Sequence, residues 1–309
     1  MLISVYLPTR NRAAQLAAAI ESVRLQTHEH FELIVVDDGS TDDTGALLAA
    51  VAAQDARVRV ITNTRSLGGP AARNLAILAA RGDFVTGLDD DDTFAPARLE
   101  RFAKAWRRHE RAGARLAGLY SHVAVMRHGQ AVANTVKPDS ASFEDMFREN
   151  VVGNQIFAPR RHYLEAGLFR VGLPAWQDLE FFMRMLKVYG PARLDAAVTY
   201  QWDDTPRDDR VSLGSKERLR MAFDTVVALH AAGNPRRIQQ LYLQLLGGYY
   251  GVRPTLQDWN RFLALGLWPR GILRLMRGCI GRNMPPRAWV RRTVEAGRAA
   301  WGHPPLRGR

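Results

Sequence analysis

Cysteine is nearly missing from this sequence: Cys279 is the only one in 309 residues. One thiol can form neither an intramolecular disulfide framework nor a thiolate-rich metal cage, and a reducing cytosol is the expected setting. Long apolar runs are missing too. The best candidate, residues 262–280, is interrupted by Arg270, Arg274 and Arg277, so no membrane-spanning helix is expected. The opening Met1-Leu2-Ile3-Ser4-Val5-Tyr6-Leu7-Pro8 has no basic stretch before its apolar one, and no secretory signal is expected there. The eight histidines show no metal-ligand spacing, so none is assigned to a metal. Acidic residues, finally, are scarce at one end. From Arg261 onward eleven arginines face one acid, Glu295, which leaves only about two of the twelve net positive charges for residues 1–260. The basic character therefore belongs to the C-terminal segment.

What is present is the composition of an ordinary globular protein, long enough for one large domain or a domain with an appendage. Over the first ninety residues, strand-length apolar runs (2–7, 33–36, 58–61 and 84–88) alternate with helix-like stretches (13–24, 43–53 and 70–80). Asn11 and Thr41-Asp42 supply capping chemistry, and Pro70 suits a first helical turn. This β-α-β-α order implies a mostly parallel sheet covered by helices, with its ligand site at the carboxyl ends of the strands. Further on, helices are expected at 96–111, 143–148, 161–166 and 178–188, and strands at 116–126, 130–133 and 197–202. A domain boundary is expected near residue 205. Beyond it the chain reads as helical, with breaks at Gly233-Asn234-Pro235, Arg253-Pro254 and Pro285-Pro286.

The chemistry-bearing residues fall at the expected strand ends. Asp89-Asp90-Asp91-Asp92 follows an apolar strand; clustered carboxylates repel one another, and oxygen-only ligands select a hard ion such as Mg²⁺ or Mn²⁺. A solvated turn leading to the next helix is the plainer alternative. Asp37-Asp38-Gly39-Ser40 suits contact with a ribose or a base, or an Asx turn entering a helix. Gly68-Gly69-Pro70-Ala71-Ala72-Arg73-Asn74 sets a helix N-terminus and a guanidinium where an anion can bind, although it matches neither the dinucleotide nor the P-loop glycine pattern. Asp178 is either a helix-start residue favoured by the dipole or a carboxylate aimed into a cleft as a general base.

Together these blocks resemble family 2 of the inverting glycosyltransferases, which have the GT-A fold. The match runs over residues 1–205: Pro8-Thr9-Arg10-Asn11-Arg12, Val35-Val36-Asp37-Asp38-Gly39-Ser40-Thr41-Asp42, Ala72-Arg73-Asn74 through Gly82-Asp83-Phe84-Val85 into Leu88-Asp89-Asp90-Asp91-Asp92, then Gly167-Leu168-Phe169 and Gln177-Asp178-Leu179-Glu180-Phe181-Phe182-Met183-Arg184. The resemblance implies an α/β, Rossmann-like catalytic domain at 1–205, and the composition beyond it reads as a helical, arginine-rich appendage at 206–309 expected to dock the acceptor or a membrane surface. The resemblance also implies that Pro8, Thr9, Asn11 and Arg12 line the nucleotide pocket, with Asp38 near the base and Arg73 beside the bound nucleotide. Asp89-Asp90-Asp91 becomes the Asp-x-Asp motif, with Asp91 the principal ligand and Asp89 a second ligand of Mg²⁺ or Mn²⁺. Asp178 becomes the catalytic base. Gln177 and Glu180 depart from the family's usual residues, which bears on acceptor recognition.

The implied reaction moves a sugar from a UDP- or dTDP-linked donor to a hydroxyl of a glycan or lipid-linked glycan, with inversion, in lipopolysaccharide or other bacterial surface-glycan assembly. The expected place is the cytoplasm, on the cytoplasmic face of the inner membrane if the tail docks there. For that docking, Trp268, Ile272, Leu273, Leu275, Met276 and Ile280 are expected to form an apolar side flanked by arginines, with Trp289 and Trp301 recurring beyond. The alternative is that this side packs on the catalytic domain. A nucleic-acid partner is not expected, since the basic charge avoids the aspartate-rich region and no binding motif is visible. A catalytically inactive nucleotide-sugar-binding module of the same fold is the competing functional reading.

Overall fold

The computed structural model describes residues 1–205, 216–246, 250, 252–280 and 290–291. Its first half is built from β1 (Ile3–Thr9), α1 (Ala13–Arg24), β2 (Phe31–Asp37), α2 (Thr44–Gln54), β3 (Val58–Thr62), α3 (Gly69–Ala79) and β4 (Phe84–Gly87). The four strands pair in parallel in the order β3-β2-β1-β4, each link made through a helix as parallel pairing requires. In register, Thr9 stands beside Asp37 and Asp37 beside Thr62, while β4 reaches only to Gly87 beside Tyr6. The residues that follow these strands therefore share one edge. A short antiparallel strand, β9 (Ala158–Pro159), closes the sheet beside β4.

A second sheet carries the rest of the α/β region. β5 (Thr93–Phe94) precedes α4 (Arg98–Arg111), and β6 (Leu119–Arg127) and β7 (Gln130–Thr135) form a hairpin. β8 (Ser140–Ala141), α5 (Arg160–Glu165), α6 (Gln177–Tyr189) and β10 (Ala192–Asp203) follow. β10 runs parallel to β6 and antiparallel to β5 and β8. The hairpin matches the strands expected around His128-Gly129. The strand expected at 197–202 begins five residues earlier, at Ala192, and the helix expected at 143–148 shrinks to a 3-10 turn at Asp145–Phe147.

Period-two alternation assigns each face of the first sheet. Ile3, Val5, Leu7, Leu33 and Val35 turn to one core with α1 and α4, while Tyr6, Ile34 and Val36 turn to another with α3 and α6. The C-terminal helices α7 (Lys216–Val226), α8 (Pro235–Leu245), α9 (Leu256–Ala264) and α10 (Pro269–Ile280) extend this second core through Leu219, Phe223, Leu241, Phe262 and Leu275. Asn234 caps α8 by accepting from the Arg237 N–H, and Thr255 and Asp258 form a capping box on α9. One expectation needs correction. Trp268, Ile272 and Leu275 turn inward, and among the described residues of the expected apolar side Leu273 and Met276 lie on the surface, because α10 packs on α8. The side chain of Ile280, together with Trp289, Trp301 and the Pro285-Pro286 break, lies outside what is described. β11 (Val290–Arg291) pairs with β7.

Candidate active site

Gly87 ends β4 under close constraint. A Cβ there would fall 1.9 Å from Gln155 Oε1 and 2.3 Å from the Tyr6 ring. The bare backbone lets both side chains press against the strand end, where the four aspartates begin. Each aspartate then takes different partners. Asp89 accepts from Arg73 (3.1 Å), Asn154 (2.8 Å) and Gln155 (3.2 Å). Asp90 accepts from the Thr9 hydroxyl at 2.8 Å, and the Arg12 guanidinium lies 3.8 Å from Asp90 and 2.9 Å from Asp91. Asp92 turns away, accepting from the Tyr200 hydroxyl (2.6 Å), the Asp203 N–H (2.9 Å) and Asn154 (3.3 Å). Burial pushes the Asp90 carboxyl up to about 6; Arg12 opposes the rise, and Asp91 and Asp89 add to it. Burial likewise raises Asp92 well above the usual carboxylate range, and repulsion from Asp91 and Asp89 reinforces it.

The loops after β1 and β2 are stitched together. Asn11 has φ +53°, donates its N–H to the Ser40 hydroxyl (2.9 Å) and accepts from the Thr41 N–H (2.8 Å). Asn11 is therefore not the cap of α1. That work falls to Asp42, whose two oxygens accept from the first N–H of α1 (Ala13, 3.4 Å) and of α2 (Thr44, 3.1 Å). Pro8 lies half-buried beside Val36. Asp38 accepts four hydrogen bonds, from Asn63, Ser66 and the N–H groups of Leu67 and Gly68, all at 2.7–2.8 Å. Burial alone would raise this carboxyl, but the four donors outweigh it and hold Asp38 below its ordinary value. Asp38 thus shapes the loop that leads into α3.

That loop aims Arg73. Its guanidinium donates to Asp89 at 3.1 Å and to Gln177 Oε1 at 2.9 Å, and lies over the Phe169 ring. Asn74, next in the chain, clasps the Phe169 backbone with hydrogen bonds to its N–H (2.9 Å) and its carbonyl (2.8 Å), so two blocks distant in sequence meet. Trp176, at φ +56°, turns the chain into α6, and Asp178 is the second helical residue rather than the cap. Its Oδ2 accepts from Asn150 Nδ2 at 2.9 Å, and burial raises its carboxyl above the ordinary value. Glu180 faces the other way, fully buried and paired with Arg184 (2.8 Å) and His230 (3.3 Å). Of the two departures noted in the sequence, only Gln177 therefore lies in the site.

Asn150, Asn154, Gln155, Tyr6 and Tyr200 also build the site. The sequence marks none of them, because no motif surrounds them and their importance comes from contacts across 28 to 149 residues. The one available hint is the polar pair Asn154-Gln155 directly before an apolar run.

The residues present fit a hard divalent ion. The donor set around Asp89, Asp90 and Asp91 is all oxygen, and the Arg12 guanidinium already lies between two of these carboxylates, where a positive charge is favoured. Among the described residues no three acidic, histidine or cysteine side chains form a ready-made cage. Mg²⁺-type sites need none, because such ions keep several waters and take one or two carboxylates plus substrate phosphate.

The parallel sheet with its edge of carboxylates has the GT-A fold. The structure of TarS from S. aureus in complex with UDP-GlcNAc superposes with a TM-score of 0.63 at 17% identity, covering 89% of this chain and 82% of that one. The model of the family "Glycosyl transferase family 2" matches residues 4–156. The putative colanic acid biosynthesis glycosyl transferase WcaA of Escherichia coli K12 is 36% identical over 193 residues, 61% of this chain and 67% of that protein. The chain belongs to glycosyl transferase family 2. Another relative, the Escherichia coli UDP-Glc:alpha-D-GlcNAc-diphosphoundecaprenol beta-1,3-glucosyltransferase WfgD, is 27% identical over 152 residues, 49% of this chain and 57% of that protein.

Proposed function

We propose that this glycosyltransferase moves a hexose from a UDP-sugar to a hydroxyl of a lipid-linked glycan with inversion at the anomeric carbon, in bacterial surface-glycan assembly. The observation that carries the reading is Arg73, whose guanidinium is shared by Asp89 and by Gln177, the neighbour of Asp178. One cation thus joins the aspartate turn to the helix start that carries the base. The relatives support the rest: WfgD is named for a UDP-linked donor and a diphosphoundecaprenol acceptor, and TarS was solved with UDP-GlcNAc.

In this reading Pro8, Thr9, Asn11 and Asp38 flank the nucleoside, and Arg12 and Arg73 face its phosphates. Asp89 and Asp91 would hold Mg²⁺ or Mn²⁺, which when bound offsets the charge of the leaving diphosphate. Asp178 takes the proton of the acceptor hydroxyl as that oxygen attacks from the face opposite the leaving group. Burial supports the role by raising its carboxyl toward the working pH. The test is release of nucleoside diphosphate from a panel of UDP- and dTDP-sugars with Mn²⁺ or Mg²⁺, with and without alkyl-diphosphate-linked sugar acceptors. Turnover of dTDP-sugars alone, or release that no acceptor accelerates, would overturn it.

We place the catalytic unit at 1–205 and assign the arginine-rich helical region after it to docking on an anionic membrane surface. Leu256, Leu263, Leu267, Leu273 and Met276 are exposed there, with Arg270 and Arg274 beside them. No described helix is long and apolar enough to cross a membrane. Sedimentation with phosphatidylglycerol vesicles tests the assignment. Binding should fall when Leu267 and Leu273 become serine, and full-length protein that stays in the supernatant rejects it.

A further inference from the structure

Residues 150–155 touch the site at both ends. At one end Asn154 donates to Asp89 and Asp92, and Gln155 donates to Asp89. At the other, Asn150 folds its carboxamide onto its own chain: Oδ1 accepts from the Gly153 N–H at 3.2 Å and Nδ2 donates to the Gly153 carbonyl at 3.0 Å. The second Nδ2 hydrogen reaches Asp178 Oδ2 at 2.9 Å. These three bonds decide which end of the amide is nitrogen. Turned over, its oxygen would face a carbonyl and a carboxylate while its nitrogen faced an N–H.

The turn that presents this amide is held from several sides. Gly153 has φ +93°, and a Cβ there would fall 2.8 Å from Lys137 Nζ. Lys137 itself donates to the Val152 carbonyl at 2.8 Å, and Val151 and Val152 are buried between the two ends. The Asp178 carboxylate is also drawn toward its own helix by the backbone N–H groups of Leu179 and of Asp178 itself. It sits on the second residue of α6, and the terminal torsion of an aspartate is broad.

We propose that Asn150 is a positioning residue for the transfer: it clamps Oδ2 of Asp178, so that Oδ1 meets the acceptor proton, and it ties that carboxylate through residues 150–155 to the aspartate turn. This inference rests on Asp178 being the base. The ionisable groups that face Asp178 are Arg73 from α3, Asp89 after β4 and Tyr6 from β1. Against this background an amide N–H favours the ionised carboxylate, which is the form a base needs.

The test compares Asn150→Ala, Asn150→Asp and Asp178→Asn by hydrolysis of UDP-glucose and UDP-GlcNAc, where water stands in for the acceptor. Asn150→Ala is expected to lower kcat about tenfold, as for a lost hydrogen bond to a charged group. UDP affinity in calorimetry is expected to stay the same, and the ascending limb of the pH profile to move to higher pH. Asn150→Asp keeps an acceptor for the Gly153 N–H but sets a like charge against Asp178, so the limb should move further in the same direction. A purely structural role would lower rate and melting temperature without moving the limb.

A double-mutant cycle on unfolding free energy, read across pH with Asn150→Asp and Asp178→Asn, needs no turnover. Coupling that grows as Asp178 ionises supports the proposal, and additive effects at every pH overturn it. An Asp178→Asn enzyme that still turns over at the wild-type rate removes the base and the role of Asn150 with it. An inactive Asp178→Asn beside Asn150 variants of unchanged rate and profile leaves the base standing and rejects the clamp.

Discussion

The Tyr200 hydroxyl donates a 2.6 Å hydrogen bond to Asp92 Oδ2, joining β10 of the second sheet to the loop after β4 of the first. Asp92 is 2% exposed, and the Asp203 N–H of β10 makes the same link, while Asn154 donates to it from the segment before β9. The fourth aspartate therefore holds the two sheets together, while Asp89, Asp90 and Asp91 face the site. Tyr200→Phe leaves a buried carboxyl short of a donor and is expected to cost about 1–3 kcal/mol, read from urea unfolding.

Asp91→Asn should lose Mn²⁺-dependent binding of UDP and keep the fold. The aspartates repel one another when no ion is present, so removing one charge relieves that strain. Calorimetry with Mn²⁺ and UDP, beside a thermal melt, separates the two effects. Unchanged affinity would remove the metal assignment.

Asp178→Asn is expected to lower acceptor transfer by about 10²-fold or more while donor affinity persists, because a general base acts only as the hydroxyl reacts. A variant that keeps more than about a tenth of the rate would reduce Asp178 to a helix-start residue.

Gly87→Ala is expected to cost on the order of 3 kcal/mol, at the upper end for an added methyl group. The new Cβ would lie 1.9 Å from Gln155 Oε1 and 2.3 Å from a buried tyrosine ring, and the strand cannot move without displacing Asp89. Chemical denaturation measures the loss, and a drop below about 1 kcal/mol would show that Gln155 can be displaced freely.

The helical region has its own acid sensitivity. Asp258 accepts both Arg220 nitrogens, at 2.7 and 2.8 Å, and caps α9 through Thr255. Burial opposes ionisation, but these donors prevail and hold the carboxyl down to about 2. A folded-state value below the unfolded one, ~3.9, means stability that is fully present above about pH 4 and lost as pH falls toward 2. Asp258→Asn should therefore melt lower than wild type at pH 7, with the gap closing over that window. A gap independent of pH would assign the loss to packing.

Much of the architecture of the aspartate edge was legible in the sequence. Alternating apolar runs and helix formers place β1 to β4 and α1 to α3, and a parallel sheet puts the ends of its strands on one edge, so Thr9, Asp38 and Asp89–Asp92 had to lie near one another. The candidate residues read from the sequence sit where local rules act strongly: strand ends, tight turns and helix starts. The same rules misled at Asn11, which has the composition of a cap but bridges two loops, and along α10, whose apolar side meets α8 as well as the surface.

What the sequence by itself determined, then, is the family, the sheet and the acidic edge, because all three rest on periodicity and short contiguous motifs. Only the tertiary structure decided which aspartate faces which partner. It buried Asp92 under Tyr200, turned Glu180 to the core, and brought Asn150, Asn154 and Gln155 from a stretch without a motif onto both Asp178 and Asp89. The physical reason is that a hydrogen bond depends on donor and acceptor meeting within about 3 Å, whatever their separation along the chain. Neither composition nor spacing carries that information when the partners come from different layers of the fold.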